Sequence, residues 1–271
     1  KANDSAMKGR VLVQIRSGSN GDVIRATEFE SSCGPTSAVF TGASGEAPSG
    51  ELALVFVGGA RSTAAETWHC ASRLELISIA TFERRTLPLR AGAGSRLGAS
   101  AVLWPARSSS ESVLMVLGAP GSRTSAPFVA LVSLADGAER GGIQSLSSAE
   151  SERDEFGASI AVGMAGGKPF LIVGAPKRHG GRGAIDVFDH ELRRRWTAVG
   201  LERFEDFGGF VAAIGDLTGD GIDDVAASSD SRYVSAFCGA TGRLLWTQVH
   251  RVGGHMDGFG TTLTAIADQN A

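Results

Sequence analysis

The stretch "FGASIAVGMAGGKPFLIVGAP", residues 156–176, decides the fold predicted for this chain. It opens with Phe-Gly, continues as an alternating apolar run, makes a Gly-rich polar turn and closes with a second apolar run. Short apolar runs bounded by such turns are typical of β-strands. The stretch therefore predicts two β-strands joined by a hairpin.

The same plan recurs along the chain and indicates an internal repeat. Clear copies begin at Leu97, Phe207 and Phe259, and a weaker copy begins at Cys33. Successive openings lie 51 to 64 residues apart, and further strand-like segments follow most of the second apolar runs. Four short strands in a repeat of this length match one β-propeller blade. No segment has a long 3.6-residue apolar period, so we expect little helix.

The composition agrees with an all-β protein and excludes several functional classes. The 271 residues include 37 glycines without a collagen period, which indicates many turns. A formal net charge of −3 offers no basic surface for nucleic acid, and no apolar run is long enough to insert into a membrane. Cys33, Cys70 and Cys238 form neither a disulfide framework nor a zinc pattern, and their redox state stays open.

The ends of the repeats carry a family resemblance. Phe156-Gly157 with Gly174-Ala175-Pro176, and Leu97-Gly98 with Gly118-Ala119-Pro120, resemble FG-GAP repeats. Those repeats build the β-propeller of integrin α-chain ectodomains and of many bacterial surface proteins. The resemblance covers nearly the whole chain and is strong from about Ser95 onward. It implies an all-β propeller of four-stranded blades and an extracellular or cell-surface location.

The resemblance also predicts how the chain divides into blades. We expect a partial blade, four complete blades and a second partial blade, which cover residues 1–27, 28–90, 91–150, 151–201, 202–251 and 252–271. By analogy with integrin-like members, the chain would be a fragment of a seven-bladed propeller. Further blades of the same chain are then expected partners of this segment.

An acidic loop in the fourth complete blade is the candidate metal site. The stretch "GDLTGDGIDDVAAS", residues 215–228, offers oxygen atoms at alternate positions, which suits the six to eight oxygen ligands of Ca²⁺. The predicted ligands are Asp216, Thr218, Asp220, the backbone carbonyl of Ile222, and Asp224. The loop contains no cysteine or histidine, which argues against zinc or copper. It is not an EF-hand, because Ala227 stands where that loop carries a glutamate.

An acidic hairpin turn without metal is the alternative interpretation, since Asp-Gly is common in turns. Against it, three carboxylates close together repel one another unless a cation is present. The family resemblance adds that a similar D-x-T-x-D-G-x-x-D loop holds Ca²⁺ between two strands of an FG-GAP blade. Asp268 and Asn270 begin a second such loop at the same offset in the last repeat.

The favoured hypothesis is a non-catalytic, calcium-braced propeller that binds an extracellular protein or glycan. No phosphate-binding loop, zinc motif or nucleophile motif occurs, and the five histidines are scattered. The alternative is part of a propeller enzyme. It could be a quinoprotein-like dehydrogenase, which "CGATGRLLWTQ" at residues 238–248 resembles, or an accessory domain of a secreted hydrolase or lyase.

One basic segment has two interpretations. The stretch "KRHGGRG", residues 177–183, is expected to be a solvated loop between strands, or else a contact for an acidic partner.

Overall fold

The structure, a computed structural model, contains almost only β-strands and turns. It is described for residues 9–16, 19–31, 37–40, 51–56, 59–62, 67–70, 72–90, 95–105, 113–121, 126–145, 154–203, 205–229, 232–249 and 259–263. The chain forms two compact units, Lys1–Arg90 and Ala91–Ala271. The predicted half loop at Asp268 and Asn270, and the weak repeat opening at Cys33, lie outside the described residues.

The first unit contains eight described strands. They are β1 (Gly9–Arg16), β2 (Val23–Ser31), β3 (Ser37–Phe40), β4 (Glu51–Phe56), β5 (Gly59–Ser62), β6 (Thr67–Cys70), β7 (Arg73–Ser78) and β8 (Arg84–Pro88). Strands β3-β4-β7-β8 form a four-stranded antiparallel sheet, here called sheet I. Hairpin β5–β6 is inserted between its second and third strands, which the sequence did not predict.

A second hairpin packs on sheet I. Strands β1 and β2 pair antiparallel, and their Val11, Val13 and Phe29 side chains contact the buried Leu54 and Ile77 of the sheet. Strand β2 continues to Ser31, beyond the boundary at residue 27 drawn from the sequence.

The second unit contains twelve described strands and one short helix. The strands are β9 (Ser100–Trp104), β10 (Leu114–Ala119), β11 (Phe128–Ser133), β12 (Glu139–Gln144), β13 (Ser159–Ala165), β14 (Lys168–Ala175), β15 (Ala184–Phe188), β16 (Arg194–Val199), β17 (Phe210–Ala213), β18 (Val225–Ser228), β19 (Tyr233–Phe237) and β20 (Leu244–Val249), and helix α1 is Arg178–Gly181. They form three four-stranded antiparallel meanders: sheet II (β9–β12), sheet III (β13–β16) and sheet IV (β17–β20).

Within the second unit, sheets II, III and IV pack face to face around apolar layers. One layer joins sheets II and III, and Phe156 of the Phe-Gly motif is buried in it. The other layer joins sheets III and IV and buries Phe207 of the next motif. The first strands β9, β13 and β17 lie beside one another, so each meander places its first strand innermost. Apolar burial between neighbouring sheets is the main stabilising term of such repeat architectures.

The Phe-Gly glycines turn the chain into each first strand. Gly98, Gly157 and Gly208 all have a left-handed φ, between 86° and 97°, that side chains rarely adopt. The N–H of Gly157 donates to the carbonyl of Gly174 at 2.9 Å, and the equivalent bonds recur in sheets II and IV. The motif therefore specifies a backbone conformation, and this explains why it repeats.

A serine hydroxyl links sheet II to sheet III, and another links sheet III to sheet IV. Ser100 Oγ donates to the Gly157 carbonyl, and Ser159 Oγ donates to the Gly208 carbonyl, both at 2.7 Å. Sheet IV departs from this pattern, because Phe210 pairs with Ser228 where sheets II and III pair Ser with Gly. The buried Ser228 hydroxyl has no hydrogen-bond partner among the described residues.

The last hairpin turn of sheet I has the same backbone hydrogen-bond pattern as the last turn of sheet IV. The N–H of Ser78 donates to the Glu83 carbonyl at 3.0 Å, and the N–H of Phe82 donates back to Ser78 at 2.9 Å. The equivalent residues in sheet IV are Cys238, Arg243 and Gly242. Phe82 and Gly242 both have a left-handed φ. The weak repeat seen in the sequence thus forms the same hairpin as the clear copies.

The all-β prediction is confirmed for the described residues, in which α1 is the one helix and spans four residues. None of these residues belongs to a helix with the length and apolar character needed to cross a bilayer. Cys238 carries a free and buried thiol. The division of the chain into blades stays a prediction.

Candidate metal site

The acidic loop connects β17 to β18 in sheet IV. It is closed at its neck by two backbone bonds, from Ile214 N to the Asp224 carbonyl at 2.9 Å and from Asp224 N to the Gly215 carbonyl at 2.8 Å. Gly219 and Gly221 have φ of 75° and 82°, as the tight loop predicted from the sequence requires. The loop is therefore a structured turn with a fixed entry and exit.

Asp216 organises the exposed tip of this loop. Its carboxylate accepts the backbone N–H groups of Gly219, Asp220 and Gly221 at 2.7, 3.1 and 2.7 Å. The N–H of Gly221 is the main cause that lowers the pKa of Asp216 below its usual value. Bonds of this kind favour the charged carboxylate, so Asp216 stays an anion at neutral pH.

Asp224 is the buried anchor of the loop. Its side chain is fully buried, and Oδ2 accepts the N–H groups of Leu217 and Thr218 at 2.9 and 3.0 Å. The other oxygen, Oδ1, accepts the N–H of Gly239 at 3.0 Å. Asp224 therefore joins the loop to the β19–β20 turn of its own sheet.

Three of the five predicted ligands converge. The Thr218 hydroxyl oxygen lies 3.5 Å from Asp216 Oδ1 and 3.4 Å from Asp224 Oδ1. Positions one, three and nine of the loop thus bring together three oxygen atoms, which are the donors that Ca²⁺ prefers. These three residues fit a hard cation.

Asp220, another predicted ligand, has other partners in the structure. Asp220 Oδ1 accepts the N–H of Ile222 at 3.0 Å, and Asp220 Oδ2 lies 3.4 Å from the thiol of Cys238. In the part of the chain that is described, no three His, Cys, Asp or Glu side chains are grouped so that they could hold a metal ion. A cation at this loop would therefore need the Thr218 hydroxyl, and Asp220 would have to turn away from Cys238.

Asp223, which was not assigned as a ligand, fixes the loop to the preceding sheet. Its carboxylate accepts the N–H of Met164 at 2.8 Å, and its own N–H donates to the Met164 carbonyl at 2.9 Å. Gly166 N adds a bond of 3.2 Å to the Gly221 carbonyl. The acidic loop consequently spans the gap between sheets III and IV.

Trp196 and Gly239 support the loop from its other side. A Cβ at Gly239 would lie 1.9 Å from the Asp223 carbonyl oxygen, so only glycine permits this approach. The Trp196 indole of sheet III donates to the Gly239 carbonyl at 2.9 Å. Sequence reasoning missed both residues, and the Trp in the shared "RW" and "LW" positions of β16 and β20 was the available signal.

A buried ionic cluster lies at the base of sheet III. Arg178 donates to Asp154 at 3.1 Å and to Asp186 at 2.5 Å, and all three side chains are at least nine-tenths buried. Burial opposes the guanidinium charge, but Asp186 and Asp154 outweigh it and raise the pKa of Arg178. The prediction of a solvated loop at 177–183 is wrong for Arg178, which is buried and neutralises two buried carboxylates, while the other basic side chains of the segment are exposed.

The next repeat carries a related pair. Glu205 stands two residues before Phe207, as Asp154 stands two residues before Phe156. Its carboxylate is buried and lies 3.6 Å from Arg232. In both sheets, an acid before the Phe-Gly motif is thus paired with an arginine after the second strand. The sequence pattern did not predict this pairing.

No protein-family model matches the chain, and no curated protein matches it. Among solved structures, the chain is similar to the crystal structure of Saccharomyces cerevisiae Sqt1, a WD40 β-propeller protein, with a TM-score of 0.58. The match has 16% sequence identity and covers 88% of this chain.

The chain spans 56% of the Sqt1 chain. The successive four-stranded meanders and this similarity together identify the architecture. The fold is of the β-propeller type. At this level of identity the similarity concerns architecture alone, and the FG-GAP assignment stays a prediction.

Proposed function

We propose that this chain is part of an FG-GAP-type propeller of an extracellular or cell-surface protein, which Ca²⁺ braces and which binds a protein or glycan without catalysis. The observation that carries the proposal is the convergence of the Asp216, Thr218 and Asp224 oxygen atoms in a loop held on both sides. Loops fixed on a rigid propeller are the usual sites of binding.

In the proposed site, Asp216, Thr218 and Asp224 would hold the cation, with Asp220 and the carbonyl of Ile222 completing the shell. Three carboxylates exceed the charge of Ca²⁺ by one, which favours binding. The bound ion would offset most of the negative charge of the loop and so stabilise the contact between sheets III and IV. It supplies a structural brace and no chemistry.

Further blades beside sheet IV belong to the same proposal. Trp246 of β20 occupies the strand position that Trp196 occupies in β16, since they pair with Ala236 and Val187 respectively. Trp196 is covered by the turn of the next sheet, whereas Trp246 is 45% exposed. An exposed Trp at this position supports a neighbouring blade as its partner.

Calcium titration tests the proposal directly. Calorimetry should show calcium uptake by the purified chain, and the melting temperature should be higher in calcium than in chelator, because a ligand that binds only the folded state stabilises it. Asp220→Ala should remove most of this difference. Asp136→Ala is the matched control, because Asp136 is an exposed carboxylate that also accepts a turn N–H, outside the loop. No calcium heat together with equal melting temperatures would refute the metal site.

A further inference from the structure

An open, shallow cavity on sheet III is lined mainly by basic side chains. Its volume is about 440 Å³, and its lining residues are His179, Gly180, Arg182, Val199 and Arg203. It lies between α1 and the segment that follows β16, away from the acidic loop. This size falls within the range of small-molecule sites.

The wall formed by α1 is held in an uncommon conformation. His179 has φ of 55° and ψ of 41°, and Gly180 has φ of 69° and ψ of 33°, so both residues are left-handed. Arg178 begins this turn, and its buried side chain is held by Asp154 and Asp186. A non-glycine residue in this conformation is held there by its surroundings, and such positions are common at binding sites.

The Arg182 guanidinium is oriented before any ligand binds. Its Nε donates to the Gly200 carbonyl at 3.1 Å, and its Nη2 donates to the Leu201 carbonyl at 3.2 Å. These bonds leave Nη1 without a bond to the described residues. A fixed guanidinium with an open N–H edge binds an oxyanion with little loss of side-chain entropy.

Arg203 and His179 also line the same cavity. Arg203 packs beside Gly180, and a Cβ at Gly180 would lie 4.0 Å from its guanidinium carbon. Neither Arg203 nor His179 makes an ion pair or hydrogen bond with the part of the chain that is described. Two neighbouring acids are already paired, Asp206 with Lys177 and Glu205 with Arg232, and the exposed Glu202 precedes Arg203 in the chain.

The cavity also has an apolar side. Val199 lines it and is 38% exposed, and Leu201 beside it is 64% exposed. Basic groups together with the exposed aliphatic side chain of Val199 match a ligand that carries an oxyanion on a ring with an apolar face. An acidic sugar has both features.

We propose that this cavity binds an acidic sugar, through its carboxylate or sulfate group, with Arg182 and Arg203 as the anion-binding residues. This assignment deepens the proposed function and rests on it, because it names the site and the class of glycan. Arg182 provides the preset donor edge, Arg203 provides charge, and Val199 contacts the apolar face of the ring.

Isothermal titration of the whole chain with glucuronate, glucose 6-sulfate and glucose tests the proposal. The two charged sugars should bind, and glucose should not. Arg203→Gln should weaken their binding by about tenfold or more, which corresponds to the loss of one charge-assisted bond. Arg193→Gln is the matched control, because Arg193 is exposed and pairs with Glu191 in the same sheet. Its affinity should equal that of the unmodified chain.

Four results would overturn the assignment. They are equal binding of glucose, undiminished binding by Arg203→Gln, inorganic sulfate binding as tightly as the sulfated sugar, and a phosphoserine peptide binding more tightly than glucuronate. Calcium uptake measured on the same preparation separates the two proposals. Calcium binding without sugar binding refutes only this cavity, whereas sugar binding without calcium uptake refutes only the metal site.

Discussion

Trp196 donates its indole N–H to the carbonyl of Gly239 at 2.9 Å, and this bond joins the last strand of sheet III to the last turn of sheet IV. A Cβ at Gly242, in the same turn, would lie 2.8 Å from the indole ring. The turn that receives Trp196 also donates the Gly239 N–H to Asp224. One tryptophan therefore supports the packing between sheets and, through a single turn, the acidic loop.

Trp196→Phe should destabilise the chain by about 1 kcal/mol, because it removes this hydrogen bond while it keeps an aromatic ring. Trp246→Phe is the matched control, since Trp246 has the equivalent strand position and is half exposed. Urea unfolding of both variants measures the difference. Equal losses of stability would show that the Trp196 bond contributes nothing beyond ring packing.

Gly174→Ala should destabilise the chain by about 2 kcal/mol or more. The added Cβ would lie 2.0 Å from the Gly208 carbonyl oxygen and 2.3 Å from Ser159 Oγ, where the serine tie between sheets III and IV is formed. Gly141→Ala serves as the control, because nothing lies within 4 Å of a Cβ there. Chemical denaturation should separate the two variants clearly, and a neutral Gly174→Ala would contradict the close approach.

Asp224→Ala and Asp220→Ala should differ in their dependence on calcium. Asp224 is buried and accepts three backbone N–H groups, so its loss should lower the melting temperature even in chelator. Asp220 is exposed and accepts one backbone N–H, so its loss should matter mainly when calcium is present. Melting curves in calcium and in chelator give all four values. A large effect of Asp220→Ala in chelator would contradict this division of roles.

Arg178→Ala should cost about 3 to 5 kcal/mol, because it leaves Asp154 and Asp186 buried without their cation. Arg194→Ala is the control, since Arg194 is exposed and its guanidinium lies 3.9 Å from Asp186. It should change the free energy of unfolding only slightly. A similar loss of unfolding free energy in both variants would contradict the assignment of this stabilisation to the buried Arg178.

Tyr233 should titrate far above an ordinary tyrosine. Burial raises the pKa of Tyr233 to about 12, and it is the one tyrosine of the chain, so the phenolate absorbance reports it alone. Between about pH 10 and 12 the folded chain keeps this proton and the unfolded chain loses it. The contribution to stability is therefore complete below about pH 10 and is lost as the pH rises toward 12. A midpoint near 10 in the folded chain would contradict the burial.

The repeat was predictable from the sequence because its signal is local. A glycine after Phe or Leu is required by the left-handed φ of Gly98, Gly157 and Gly208, so the same dipeptide reappears wherever a first strand begins. The hairpin at Gly166 was predictable for the same reason, since both turn glycines have a left-handed φ. Alternating apolar runs then placed the strands between these turns.

The contacts between sheets were not predictable, because they join residues distant in sequence. Asp223 is bonded to Met164, 59 residues away. In the sequence it lies among the aspartates of the loop, and only its position there set it apart from the predicted ligands. Arg178 looked like part of a solvated basic segment, because its two carboxylate partners are recognised only once the strands are folded. The inserted β5–β6 hairpin followed no repeat spacing at all.

The serine tie and the acidic loop stand at opposite ends of the paired strands β17 and β18. At one end the Gly208 N–H donates to the Ser228 carbonyl, a backbone bond that has equivalents in sheets II and III. At the other end the connection is an acidic loop in sheet IV and two glycines in sheet III. The connection between the first two strands therefore differs between sheets while the backbone bond at the other end stays the same. A designer could exchange this connection between repeats, provided that its bonds to the preceding sheet are kept.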